Sequence, residues 1–99
     1  MKDILNRINK VFENKVKLGV MSALIMNESL NFNDFKELLG VTDGNLATHL
    51  KALESHEYIS VKKQFIGKKP NTSYQMTNKG KKAFQDHITA LEELLKNRT

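Results

Sequence analysis

The sequence predicts a mainly α domain with one small β-hairpin, an α+β arrangement, on three observations. Apolar residues recur at helical intervals through the first half of the chain. Between Tyr58 and Thr77 the period changes to two, and after Thr77 a helical stripe returns. The chain has 99 residues, the size of a single domain spanning 1–99, with no repeat and no low-complexity linker.

From the N-terminus, Ile4, Leu5, Ile8, Val11 and Phe12 are spaced for a first helix over 3–13. A second helix runs from Asn14 to Glu28, with Val16, Val20 and Leu24 on one side beside Met21 and Ile25. Ser29 to Phe32 alternates and reads as a short extended piece. Asn33 is the expected N-cap of a third helix, Asp34 suits its first turn, and Phe35, Leu38 and Leu39 form its apolar face. Gly40 ends it as a residue free to take positive φ. The next helix starts almost at once: Thr42 caps, Asp43 follows, and Val41 staples onto Leu46. Two short helices joined by a tight turn, 33–57, form a helix-turn-helix. In "YISVKKQF", Ile59, Val61 and Phe65 share one face, and in "TSYQMT" Thr72, Tyr74 and Met76 share another. The turn cluster "IGKKPN" between them predicts a hairpin, 58–77, with a loop longer than two residues. Thr77 caps a last helix, 78–97, striped by Phe84, Ile88, Leu91 and Leu95 with Leu94 beside them. A helix-turn-helix followed by a basic hairpin is a winged helix-turn-helix.

Composition narrows the function. Cys is absent, which removes disulfides, thiolate metal sites and cysteine redox chemistry. The most apolar run, Val20 to Met26, is far too short to span a bilayer, and the charged N-terminus lacks a signal-peptide core, so the expected location is the cytoplasm with no membrane partner. The formal charge is +5. From Tyr58 to Gln85 there are seven lysines and no acid, while each flank carries a slight acidic excess. Such segregation is the footprint of a polyanion partner; the bland alternative is a solvated lysine-rich loop.

The helix from Asp43 to His56 has an unusual outer face. Leu46, Leu50 and Leu53 lie within about 60° of one another on a helical wheel and define its core side. Opposite them are Gly44, Thr48, Lys51, Ala52 and Ser55, with Asn45 at the edge. A solvated face normally carries long charged side chains. A face that enters a major groove needs to be slim, with donors and acceptors near its N-terminal end. Gly44, Asn45, Thr48 and Lys51 are therefore the expected base readers: Asn45 suits adenine, Thr48 a base edge or thymine methyl, Lys51 guanine or phosphate. Thr42 and His49, with the wing lysines Lys62, Lys63, Lys68 and Lys69, are the expected phosphate contacts, and the wing tip can also enter the minor groove, where lysine meets the negative potential of narrow A/T-rich stretches. Asp43 favours the helix dipole but would be repelled by phosphate, so capping is its expected role. Lys79, Lys81 and Lys82 load the start of the last helix against its dipole. Either they extend the phosphate-facing field or Lys82 pairs with Asp86. His49, His56 and His87 have no chelating spacing, and neither metal nor cofactor is expected.

Four motifs stand in register: Asp43-Gly44-Asn45, Leu46 to Leu53 with His49 inside it, Gly67 to Pro70, and Thr77-x-x-Gly80-Lys81. Together, over roughly Lys15 to Leu95, they resemble the compact single-domain group of MarR/ArsR-type winged-helix transcriptional regulators. The resemblance implies a homodimeric DNA-binding regulator. Two departures stand out: lysine at Lys17 and Lys81 where the family often has arginine, and His56-Glu57 where it usually has glycine. The missing cysteines set the chain apart from the metal-sensing ArsR branch.

The flanking helices complete the reading. Ile4, Leu5, Ile8 and Phe12 in the first, with Phe84, Ile88, Leu91, Leu94 and Leu95 in the last, are the expected dimer interface; the alternative is that they complete the monomer core. A dimer would present two recognition helices roughly 34 Å apart and prefer a near-palindromic duplex. Nothing marks an effector pocket. The expected function is thus a sequence-specific regulator of transcription acting on double-stranded DNA. The alternative is a winged-helix module for protein contacts without sequence-specific DNA binding. No nucleophile–base pair or phosphate-binding glycine loop supports an enzyme.

Overall fold

A computed structural model describes residues 1–96 of the chain. The elements in order are α1 (Lys2–Arg7), a short 3-10 turn (Lys10–Phe12), α2 (Lys15–Met26), β1 (Leu30–Asn31), α3 (Phe32–Leu39), α4 (Asp43–Ser55), β2 (Ile59–Ile66), β3 (Lys69–Met76) and α5 (Asn78–Lys96). The three strands form an antiparallel sheet in the order β1-β3-β2. Asn97, expected as the last helical residue, lies outside the described residues.

The core gathers the apolar sides of α2, α3 and α4 against the base of the sheet. Val20, Met21, Phe35, Leu46 and Leu53 are fully buried, and Phe12, Leu50 and Ile59 almost so. The wheel assignment for α4 holds for its three leucines, which face inward, and leaves Gly44, Asn45, Thr48, Lys51 and Ser55 exposed, while Ala52 is half-buried.

Four local expectations change. The first helix stops at Arg7 because Ile8 and Asn9 are extended. The Asn9 backbone N–H donates instead to Nδ1 of His87 on α5 at 3.0 Å. The third helix is capped by Asn31, not Asn33: its side chain accepts from Asp34 N–H at 2.8 Å while the Asp34 carboxylate accepts from Asn31 N–H at 3.0 Å. This reciprocal capping box satisfies two helix-end donors at once, which Asn33 cannot do from inside the first turn. Leu38, counted on the apolar face of that helix, is exposed. The hairpin loop is two residues, not longer. Strand pairing continues to Phe65↔Pro70 and Ile66↔Lys69, so only Gly67 and Lys68 turn. Gly67 takes φ +64° at the first central position, as a type II′ hairpin turn requires.

The base of the wing is locked to α5. Thr77 Oγ1 donates to Glu57 O at 2.6 Å and accepts from Gly80 N–H at 2.9 Å. Gly80 sits directly on the Tyr58 backbone, with Thr77 N–H donating to Tyr58 O at 3.1 Å. These contacts give a physical reason for the threonine and glycine in the Thr77-x-x-Gly80 motif. Glu57 takes φ +61°, a left-handed conformation that favours glycine.

Candidate nucleic-acid interface

The thin face of α4 is held outward by a firm N-terminus. Gly40 closes α3 in the left-handed region, at φ 62° and ψ 38°. Two residues later Thr42 Oγ1 accepts from Asn45 N–H at 3.3 Å. Asp43 is ion-paired to Lys36 of α3 at 2.5 Å, which ties it to the helix-turn-helix frame. Gly44, Asn45, Thr48 and Lys51 are all exposed, in line along one side of α4.

His49 occupies the boundary of that face, half-buried, with Nδ1 2.9 Å from Lys17 Nζ of α2. An ammonium only donates, so Nδ1 accepts and the ring proton sits on Nε2. Burial and, secondarily, the Lys17 charge hold the His49 pKa below its ordinary value, so the ring is neutral at pH 7. Sequence spacing gave no sign of this pairing, because the partners are 32 residues apart.

The wing projects beside α4. Past Val61 every residue of β2 is exposed, so Lys62 and Lys63 stand in solvent with Lys68 and Lys69 at the turn. Alternation places Val61, Lys63 and Phe65 on the face turned toward α4. A cavity of about 220 Å³ separates the two elements, lined by Ala47, Lys51 and Glu54 of α4 and by Val61, Lys63 and Thr72 of the sheet. Phe65, expected to share the buried phase of Ile59, is 73% exposed, and Ile66 is 63% exposed. The alternation identified the face correctly, but the hairpin outruns the body that would cover its end.

Two of the three lysines at the start of α5, Lys79 and Lys82, have compensations. Lys82 pairs with Asp86 at 2.9 Å, and Lys79 lies 3.8 Å from Glu57 and 5.9 Å from the Tyr58 ring centroid. Both ion pairs are exposed, with Tyr58 half-buried beneath Lys79, and surface pairs of this kind contribute little.

Residues expected at a dimer interface separate into two sets. Phe12 and Phe84 are buried within one chain, edge to face at 5.3 Å. They complete the monomer core and are not available to a second copy. Ile4, Ile8, Ile88, Leu91 and Leu94 are half-buried, and Leu5 and Leu95 are exposed. α1 lies along α5, with Arg7 ion-paired to Glu93. That contact draws the Glu93 carboxyl below its usual range.

Among the described residues, no group of His, Asp and Glu is placed to hold a metal ion, and no helix is long and apolar enough to cross a membrane.

Comparison with known proteins agrees with this geometry. The family model described as winged helix DNA-binding domain matches residues 16–95. An uncharacterized protein of Methanocaldococcus jannaschii is 39% identical over 88 residues, covering 89% of this chain and 96% of its own. The structure of a transcriptional regulator homologue from Pyrococcus horikoshii superposes with a TM-score of 0.83 at 25% identity, covering 96% of this chain and 92% of that one. A protein of Enterococcus faecalis assigned to the MarR family of transcriptional regulators has the same fold, with a TM-score of 0.72 at 22% identity over 87% of this chain and 76% of its own.

Proposed function

The chain belongs to the winged helix DNA-binding domain family, and on that premise we propose a sequence-specific regulator of transcription that binds double-stranded DNA as a homodimer. The observation that carries the proposal is the pairing of a slim, exposed, almost uncharged α4 face with a lysine-rich hairpin on the same frame.

The two parts divide the work. Asn45, Thr48 and Lys51 read base edges in the major groove, where Gly44 lets the backbone approach. Lys62, Lys63, Lys68 and Lys69 neutralise phosphates, with Thr42 and the Nε2–H of His49 adding contacts beside the helix. The apolar residues left by α1 and α5 after the monomer core is filled, Leu5, Leu91 and Leu94 among them, support a two-fold interface. Two copies would present recognition helices about one helical turn apart and select a near-palindromic site.

Selection of bound duplexes from a random pool tests this directly. The expected outcome is an inverted-repeat site with half-site centres about 10 base pairs apart. The salt series on that site should steepen by about −0.9 per phosphate contacted. Lys68→Ala/Lys69→Ala removes four contacts from a dimer and should flatten the slope by roughly 3 to 4. Absence of duplex binding at low salt refutes the proposal.

A further inference from the structure

The wing tip carries a feature that phosphate binding does not use. Phe65 and Ile66 are 73% and 63% exposed, beside the turn of the hairpin. They sit on opposite faces of the hairpin, one step before a two-residue turn. Large apolar side chains in water each forgo about 1.5–3 kcal/mol of burial. A cross-strand contact of Phe65 with Pro70, its register partner, stabilises the hairpin by at most about 1 kcal/mol and still leaves the ring exposed.

The surroundings identify what covers them. Lys62, Lys63, Lys68 and Lys69 bracket the pair within a stretch that has no acid, so the complementary surface is a polyanion with apolar groups between its charges. Duplex DNA has that character: phosphates line the groove, deoxyribose forms its walls, and a base face becomes accessible wherever a step is opened. The II′ turn at Gly67 makes the tip as narrow as a hairpin end can be, and the paired ladder back to Ile59 keeps it extended. Phe65 is on the face turned toward α4, so both elements address one duplex. Lysines that carry an apolar wedge into the minor groove are a physically sound way to unstack a base step and bend DNA.

We infer that Phe65, assisted by Ile66, is an apolar wedge that enters the minor groove and unstacks a base step, at pyrimidine–purine steps by preference. The inference rests on the proposed function, which assigns DNA to this face. Its contribution is to deformability: the wing would select sequence by how easily a step opens, at base pairs that α4 does not touch.

The sequence contains no tryptophan, so Phe65→Trp supplies a single indole at the tip. Adding a mixed-sequence duplex of about 30 base pairs at low salt should quench that emission at least twofold, as base stacking does. In parallel, Phe65→Ala/Ile66→Ala should bind the same duplex at least tenfold more weakly, with an unchanged salt slope because no charge is lost. Energy transfer between dyes on the duplex ends should report a bend with the unaltered protein and none with this variant. If the unaltered protein binds but the indole is unaffected, or the alanine variant keeps full affinity and bend, the wedge is refuted and the proposed function stands. A blue shift with phosphatidylserine vesicles, but no change with duplex, refutes the wedge in favour of a lipid surface. Failure of the unaltered protein to bind duplex at low salt refutes both.

Discussion

Gly80→Ala sets helix propensity against packing. Gly80 is the third residue of α5, where alanine is the better helix former by up to about 1 kcal/mol. In the fold, a Cβ at this position would lie 2.0 Å from Tyr58 O, 2.7 Å from its carbonyl carbon and 2.9 Å from its Cα. Normal contact is about 3.5 Å, so α5 and the Tyr58 backbone that leads into β2 must part by roughly 1.5 Å. The obstacle is backbone, which cannot rotate away as a side chain does. Overpacking of this kind costs about 3 kcal/mol. The Thr77 N–H bond to the same carbonyl, 3.1 Å long, is disturbed as well, at about 1 kcal/mol. Set against the propensity gain, the net loss is about 3 kcal/mol, or roughly 12 °C or more in melting temperature for a domain of this size. Urea unfolding followed by circular dichroism measures it. Gly19→Ala is the control: its Cβ would meet only the Cδ2 end of the Leu39 side chain at 2.8 Å, which can move, so its change should stay within about 1 kcal/mol. A Gly80→Ala midpoint equal to or above that of the unaltered protein would show that Gly80 does not hold the wing to α5.

Two further outcomes follow from local geometry. Glu57→Gly should stabilise the protein by about 1 kcal/mol, since it relieves a left-handed glutamate and loses only an exposed 3.8 Å pair with Lys79; thermal melting measures it, and a lower melting temperature argues against strain at this position. Stability should also fall on acidification from pH 7.5 to pH 5. His87 is buried and its Nδ1 accepts the Asn9 N–H, so burial lowers its pKa and the neutral ring is the folded form; His49, accepting from Lys17, is shifted the same way. Because both folded pKa values lie below the unfolded one, their contribution is complete above about pH 6.5 and is lost as pH drops through the folded values. Urea midpoints at the two pH values measure the loss, which should shrink in His87→Gln; an identical loss in that variant would place the effect elsewhere.

Much of the recognition element was legible because its determinants are local. Thr42 caps by a bond to a residue three positions on, the leucine stripe of α4 repeats every turn, and alternation in the wing is a property of neighbouring residues. The same local logic located Thr77 as a cap. It failed where a nearby residue offered a plausible substitute: Asn33 looked like a cap, but only Asn31 places its side chain and backbone to exchange both bonds with Asp34. It also overcounted the hairpin loop, because Lys69 and Pro70 belong by composition to a turn but by register to β3.

By itself the sequence determined the α+β class, the order of elements, the slim face of α4 and the concentration of lysine after Tyr58. These depend on side-chain type and short-range period. Only the tertiary structure decided which apolar residues remain after the core is filled: Phe12 and Phe84 go inside, while Phe65 and Ile66 are left at the tip. It alone paired Lys17 with His49 and Asn9 with His87, residues 32 and 78 positions apart. Burial and long-range hydrogen bonds depend on what packs opposite a residue, and no pattern within one segment encodes that.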